Sequence, residues 1–428
     1  MTVLIHIIGL GVNQNAELTN QAQTALANVQ WVIASPRQLN VVESLLTNQQ
    51  TKHLPPLSEL LTWINGLTDE DDISESISIA VLASGDPLFY GIGGWFGRHF
   101  SPKQIQFYPA VSSIQSACHV LGLSLQDVDV LSLHGRPLEK IRSQLKQNQT
   151  LVILTDKNSS PKVLAQECIN AGFCQSSITV CEALGYKKQK VRSFIASELV
   201  NLNIEFDALH VSVIQTSGTG NHLPEFPGIA DEHFVTDSSA GKGMITKREV
   251  RLNILSLLQP ANEDVFWDIG AGCGSVAVEL AYWNKKCQVH AIEHHPERLT
   301  CLNENRQKFG VVSNLHVVAG RAPEILAEVP APNKVFVGGS DGELTELLAL
   351  VWDRLPEGGM LVASSVMETS KQVLIKFLQD REEHIDSINE TSQIAVSRGG
   401  SLAGQLLYRP TLPVTLFKFV KRGGLLDG

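Results

Sequence analysis

Val265-Phe266-Trp267-Asp268-Ile269-Gly270-Ala271-Gly272-Cys273-Gly274 is the stretch on which the reading of this chain turns. Its first half is an apolar run broken only by an acid, the pattern of a buried strand. Glycines at 270, 272 and 274 then turn the chain before the helical stretch 275–282, and glycine is the residue that lets backbone approach a ligand closely. A bare Gly-x-Gly also serves dinucleotides, so the neighbouring residues must decide. A dinucleotide fingerprint places its third glycine at 275, which is Ser, and gains nothing from a carboxylate at Asp268 beside a pyrophosphate.

S-adenosylmethionine carries a sulfonium and an ammonium and no phosphate, so a loop that opens with an acid matches it better. One βα unit downstream, Ala291-Ile292-Glu293 ends the next apolar run with an acid that can accept from ribose hydroxyls. Gly320-Arg321-Ala322-Pro323-Glu324 is read as a lip for the adenine. Val337-Gly338-Gly339-Ser340-Asp341-Gly342 opens the same edge toward substrate; ordinary tight βα turns are the alternative for both. A side chain at Gly272 is expected to fill space that the methionine end of the cofactor needs.

Outward from the loop, an amphipathic helix over 247–258 and apolar runs at 264–269, 288–293, 315–319, 334–338 and 360–364 alternate with helical segments, which implies a doubly wound parallel sheet. Residues 386–396 and 412–420 are expected to add an antiparallel pair. The first half carries its own α/β series, with apolar runs at 3–10, 77–84, 104–110, 128–133, 150–156, 178–184 and 209–215. Between them 216–235 is rich in Gly, Pro, Ser and Thr and lacks periodicity. The expected division is a first domain over 1–216, a linker over 217–235 and a second domain over 236–428.

A chain of 428 residues is long enough for two such cores. Hydrophobic residues make up 43% of it without a run long enough to cross a bilayer, and Met1-Thr2-Val3-Leu4-Ile5-His6 reads as a first strand rather than a leader, so a cytoplasmic location is expected. The seven cysteines show no C-x-x-C spacing, which argues against a metal site or a disulfide framework. A net charge of -10 weighs against nucleic acid and leaves a small-molecule substrate. The acidic run Asp69-Glu70-Asp71-Asp72 reads as a solvated loop.

Gly228-Ile229-Ala230-Asp231-Glu232-His233-Phe234, Met244-Ile245-Thr246-Lys247-Arg248-Glu249-Val250-Arg251 and the glycine loop together resemble the decarboxylating precorrin methyltransferases known as CbiT, through about Phe377. That resemblance implies methylation of carbon 15 of a corrin precursor with loss of the carbon 12 acetate as carbon dioxide. The cofactor contacts it implies are Thr246, Gly270, Ala271, Gly272, Cys273, Gly274, Glu293 and Ala322, to which the residue reading adds Asp268 and Gly338. In the first half, Gly9-Leu10-Gly11-Val12-Asn13, Ser84-Gly85-Asp86-Pro87-Leu88-Phe89, Pro109-Ala110-Val111-Ser112-Ser113, Ser132-Leu133-His134-Gly135-Arg136, Leu154-Thr155-Asp156 and Cys181-Glu182-Ala183-Leu184-Gly185 resemble, in order, the CbiE branch of the tetrapyrrole methyltransferases. This implies a tetrapyrrole methylase fold of two α/β subdomains, a second S-adenosylmethionine in the cleft between them and methylation of carbon 5. Gly9, Gly11, Gly85, Asp86, Pro87, Phe89, Ser112 and Ser113 are the contacts expected there. Asp207-Ala208-Leu209-His210 replaces the family's usual proline-containing turn and is read as a surface change.

Methyl transfer from a sulfonium needs the donor methyl and acceptor carbon held close and collinear in a dry site, and no nucleophilic side chain. No catalytic acid or base is picked out by the sequence. Arg136, Lys247, Arg248 and Arg251 are candidate partners for substrate carboxylates, with plain surface charges as the alternative. The adjacent His294 and His295 point apart and lack a third ligand, so they are read as loop residues near the adenosine. Assembly with copies of itself is expected. Two rival readings stay open on the sequence alone: methylation of another acceptor such as RNA, or an inactive cofactor-binding scaffold.

Overall fold

Strands buried on both faces read as largely apolar runs, and three of these form the centre of the first sheet. In the computed structural model, which describes residues 3–67, 77–220, 223–238 and 243–423, β1 (Leu4–Gly9), β2 (Trp31–Ala34), β3 (Gln50–His53), β4 (Ser78–Ala83) and β5 (Ile105–Tyr108) form a parallel sheet in the order β3-β2-β4-β1-β5. The acidic run at 69–72 lies outside the described residues. A second sheet, β6 (Asp129–Ser132), β7 (Thr150–Leu154), β8 (Ser177–Glu182), β9 (Lys190–Ile195) and β10 (His210–Gln215), has the order β6-β7-β10-β8-β9. Here β10 runs antiparallel to both neighbours. The first sheet packs against two apolar clusters, one with Ile8 and Val32 and one with Ile5 and Ile33, and the second sheet against one with Val152, Cys181 and Val213.

The third sheet comprises β11 (Val265–Ile269), β12 (Gln288–Glu293), β13 (Leu315–Ala319), β14 (Lys334–Val337), β15 (Met360–Ser365) and β16 (Ser387–Ile394), joined, past the hairpin β17 (Ser397–Leu402) and β18 (Gln405–Pro410), by β19 (Val414–Lys421). Its order is β13-β12-β11-β14-β15-β19-β16, parallel through β15, with β19 antiparallel to β15 and β16. The chain runs outward from β11 through β12 to β13 and then returns to β14 on the other side of β11, and a ligand crevice forms outside the carboxyl end of such a switch point. The expected C-terminal pair is present. The hairpin β17–β18 between its strands is exposed along its whole length, with Leu402, Leu406 and Tyr408 outward.

The chain divides into two compact units, Met1–Leu138 with Leu145–Gly220 and Asn221–Gly428 with Glu139–Gln144. From residue 223 on, the stretch read as a linker packs as part of the second unit. Ile229 and Phe234 are buried in the core of the second unit, and the amides of Gly228 and Ile229 donate to the Glu279 carboxylate at 2.8 and 3.0 Å. Turn-forming neighbours hid these two anchors.

The same clamp overturns one expected substrate contact. Arg251 is fully buried; its Nε reaches Glu279 Oε1 at 2.6 Å, and Nη1 reaches Asp231 Oδ1 at 3.2 Å and the Thr246 carbonyl at 2.6 Å. Nη2 donates to the Ile229 carbonyl, and the guanidinium lies 4.8 Å from the Phe234 ring. With every nitrogen engaged inside the protein, Arg251 has nothing to offer a substrate. Breaking such a pair strands the remaining buried charge. Arg251→Ala is therefore expected to cost the second unit about 3–5 kcal/mol in urea unfolding, whereas Arg248→Ala, at a side chain half in solvent, is expected to change it by about 0.5 kcal/mol or less.

Candidate active sites

Asp268 enters the crevice from the end of β11, fully buried, and its Oδ2 accepts from the Ala277 amide at 3.0 Å. That bond caps the start of the helix Ser275–Trp283 with the protein's own carboxylate. Burial pushes this carboxyl up to about 7; the Ala277 amide opposes the shift and the nearby Glu293 charge adds to it. Oδ1 has no hydrogen-bond partner among the described residues. A buried, unpaired carboxylate oxygen is costly unless a ligand donates to it.

The glycine loop turns through left-handed backbone at Gly270, Gly272 and Gly274. All five of its amides are occupied: Gly270 and Ala271 donate to the Ile292 carbonyl, Gly272 to Glu293 Oε2, Cys273 to the Met244 carbonyl and Gly274 to that of Ala271, at 2.8–3.0 Å. Such a loop has no donor left for a phosphate, and its unsatisfied group is an acceptor, which suits a cation. The glycines also serve packing. A Cβ on Gly272 would meet the Met244 carbonyl at 2.4 Å, and one on Gly270 would meet Gly339 backbone at 2.8 Å. The expected effect of a side chain at 272 thus arises from the covering segment rather than from cofactor space.

Glu293 is buried, with Oε2 on Gly272 and Oε1 accepting from the amides of His294 and His295 at 2.9 Å. A carboxylate can accept about four hydrogen bonds, so capacity for one more remains. Thr246 is brought to the loop by Ser275, whose Oγ accepts from its amide at 3.1 Å. Gly338 follows β14 and donates to Ile269 at 2.9 Å, while Ala322 follows β13. Lys247 precedes and Arg248 begins the helix Arg248–Leu258. Sequence reasoning missed Asp237, which accepts from the Met244 amide at 2.8 Å and pairs with Arg298 at 3.3 Å, holding the covering segment down. It also missed the rim: His294 pairs with Asp341, and Arg321 with Glu343 at 3.0 Å, tying together the loops after β12, β13 and β14.

The first unit holds a cavity of about 880 Å³ lined from both of its sheets. Gly11, Gly85 and Ser113 line it. Gly9, Asp86, Pro87, Phe89 and Ser112 are not among its lining residues but build the turns behind it. Asp86 Oδ1 accepts from the amides of Leu88 and Phe89 at 2.8 and 3.0 Å, Ser112 caps the helix Ser113–Leu121, and a Cβ on Gly9 would meet the Gly85 carbonyl at 2.7 Å. Arg136 lies over the Tyr90 ring at 5.8 Å, away from the lining. Arg37, passed over in the sequence, takes its place, its guanidinium donating to Ser84 Oγ at 2.8 Å, and Thr155 and His210 from the segments quoted above line the cavity with it. Arg37 sits in the first turn of the helix Pro36–Val42, where a cation opposes the helix dipole, and that was its one sequence signal. Asp207-Ala208-Leu209-His210, read as a surface change, forms part of the wall.

Known proteins match this arrangement in both halves. A model of tetrapyrrole (corrin/porphyrin) methylases fits residues 4–200, and one of a precorrin methyltransferase domain fits 237–421. A precorrin-6Y C(5,15)-methyltransferase [decarboxylating] of Sinorhizobium sp is 33% identical over 97% of this chain and 96% of its own length. The chain belongs to the precorrin-6Y C(5,15)-methyltransferase family. Another protein of that name, from Mycobacterium tuberculosis, is 28% identical over 98% of this chain and all of its own. A solved precorrin-6Y C5,15-methyltransferase structure from Geobacter metallireducens is 32% identical, covering 46% of this chain and 100% of that one with a TM-score of 0.42.

For this family member the Asp268 carboxyl has a readable cost. Because the folded chain holds its proton more tightly than an unfolded chain does, the ligand-free fold loses stability as pH rises from about 4 to about 7. Asp268→Asn is expected to stabilise the second unit at pH 8 by on the order of a few kcal/mol, with the gain gone below about pH 4; urea unfolding at both pH values measures it.

Proposed function

We propose that this chain transfers two methyl groups from S-adenosylmethionine to a precorrin, at carbons 5 and 15, and that its second unit also releases the carbon 12 acetate as carbon dioxide. The observation that carries this reading is the full-length likeness to a bifunctional relative joined to two separate sites of different build. S-adenosylmethionine supplies an electrophilic methyl group. In the second unit, Asp268 Oδ1 is positioned to accept from a cationic ammonium, and the spare capacity of Glu293 to accept from a ribose hydroxyl. With cofactor and acceptor bound, the Met244–Thr246 segment and the rim pairs would exclude water from the crevice. In the first unit, Gly11, Gly85 and Ser113 offer backbone to a second cofactor, and Arg37 faces the carboxylates of the acceptor. Decarboxylation needs a proton delivered to the acceptor after carbon dioxide leaves.

Among the described residues no helix is long and apolar enough to cross a membrane; the proposed action is on a diffusible tetrapyrrole in the cytoplasm. Among the described residues the strands of the exposed hairpin β17–β18 pair only with each other, while Arg398 on β17 reaches Glu249 at 2.7 Å; the open strand edges suit self-association with copies of the chain.

With precorrin-6B and methyl-labelled cofactor, the intact chain is expected to incorporate two methyl groups per molecule and release one carbon dioxide. Gly272→Arg is expected to leave one methyl transfer and abolish carbon dioxide release, because it displaces the Met244 segment. Decarboxylation that survives this change would overturn the division of labour. Affinity for S-adenosylmethionine in the second unit is expected to rise with pH through about 7, since a cation there binds ionised Asp268 better than the neutral acid; calorimetry of Gly85→Arg protein, with the first site blocked, reads this directly.

A further inference from the structure

His210 opens β10 in the wall of the first unit's cavity. Its Nδ1 lies 2.7 Å from the Asp207 carbonyl, and a carbonyl only accepts, so this nitrogen carries the proton. The neutral ring therefore keeps a lone pair on Nε2, 2.9 Å from Thr155 Oγ1, and the Thr155 hydroxyl donates to it. Thr155 follows β7 and lines the same cavity. Phe206 packs against the imidazole, with ring centroids 6.4 Å apart. The arrangement resembles an activated hydroxyl: an oriented imidazole, its tautomer fixed by backbone, drawing on a hydroxyl at a cavity wall. An in-line methyl transfer needs no nucleophile from the protein, which leaves the pair a different task.

We propose that Thr155 and His210 form the proton-accepting relay of methyl transfer in the first unit, an inference that rests on reading this cavity as the carbon 5 site. When the acceptor carbon attacks, a carbon–carbon bond forms, the methyl–sulfur bond breaks, the thioether leaves and the sulfonium's positive charge passes to the conjugated acceptor. A proton of that cationic acceptor then moves to Thr155 Oγ1 as the hydroxyl proton moves to His210 Nε2. The product is neutral at the ring system, and the imidazolium donates through both nitrogens, to Asp207 O and Thr155 Oγ1. The proton returns to solvent before the next turnover.

The charged groups around the ring leave it room to take up this proton. Glu182, its register partner on β8, is paired with Arg192 at 2.7 Å, and the Asp207 carboxylate is paired with Lys188 at 2.5 Å. Asp156, beside Thr155, accepts from the amides of Gly135 and Asn158 at 2.9 Å. Arg37, His134, Lys157, Lys162, Cys181, Tyr186 and Glu205 are the other titratable groups that line this cavity.

The test uses the intact chain, precorrin-6B and methyl-labelled cofactor, with label at carbon 5 counted separately from label at carbon 15. H210Q is expected to lower kcat for carbon 5 by about 100-fold while KM and calorimetric cofactor binding stay within about twofold. An acid limb is expected in the wild-type carbon 5 rate profile and is expected to be absent from that of H210Q. T155V loses less, T155S restores the rate, and added imidazole partly rescues H210A. A purely structural role would not respond to imidazole or reshape the pH profile. Retention of kcat and of the acid limb in H210Q, with two cofactors still bound per chain, would overturn the relay and leave the site assignment standing. A wild-type chain that binds one cofactor, or places no label at carbon 5, would overturn both.

Discussion

A carboxylate buried where β11 gives way to the glycine loop sets the terms for the second unit. Asp268 ties the strand to the following helix through the Ala277 amide, which fixes the direction in which the helix leaves and hence where the crevice opens. Keeping an acid there costs stability in the ligand-free protein, because burial disfavours its charge and Glu293 adds to the penalty. Around it the loop spends every amide on the protein itself. A site that has used its donors and kept an acceptor is built for a cation, and its strain is the kind that a bound ligand relieves.

The first unit solves the same problem with different means. Its turns are built by Asp86, Ser112 and closely packed glycines, none of which needs to touch a ligand. The cavity wall is left to backbone at Gly11 and Gly85, to Arg37, and to the Thr155–His210 pair. The two proposed methyl-transfer sites thus differ in where their polarity resides, in a buried acid for one and in a polar wall for the other.

Much of this was legible in the sequence because periodicity changes abruptly at the functional edges. The shift from an apolar run to alternate glycines at 270–274 marked both the strand end and the crevice, and the acid at 293 fell on the next strand's end as expected. β3 was missed because Gln50-Thr51-Lys52-His53 is a polar edge strand with no apolar signature, and β2, the short run Trp31–Ala34, was missed with it. Arg251 carried a signal that charge alone obscured: it shares the buried stripe of its helix with Ile254, Leu255 and Leu258. Its partners Asp231 and Glu279 stand 20 and 28 residues away in sequence, so the clamp itself was not readable. The same holds for Thr155 and His210, separated by 55 residues and joined only by the sheet. Sequence patterns report which face of an element is buried, and they do not report which buried polar groups find one another.

Calorimetric titration of the intact chain with S-adenosylmethionine, repeated near pH 7 in buffers of different ionisation enthalpy, addresses the central claim most directly. Two cofactors per chain, with proton release accompanying one of them, is the result that two separate sites and a ligand-ionised Asp268 require. A single bound cofactor, or two bound with no buffer-dependent heat, would contradict the account.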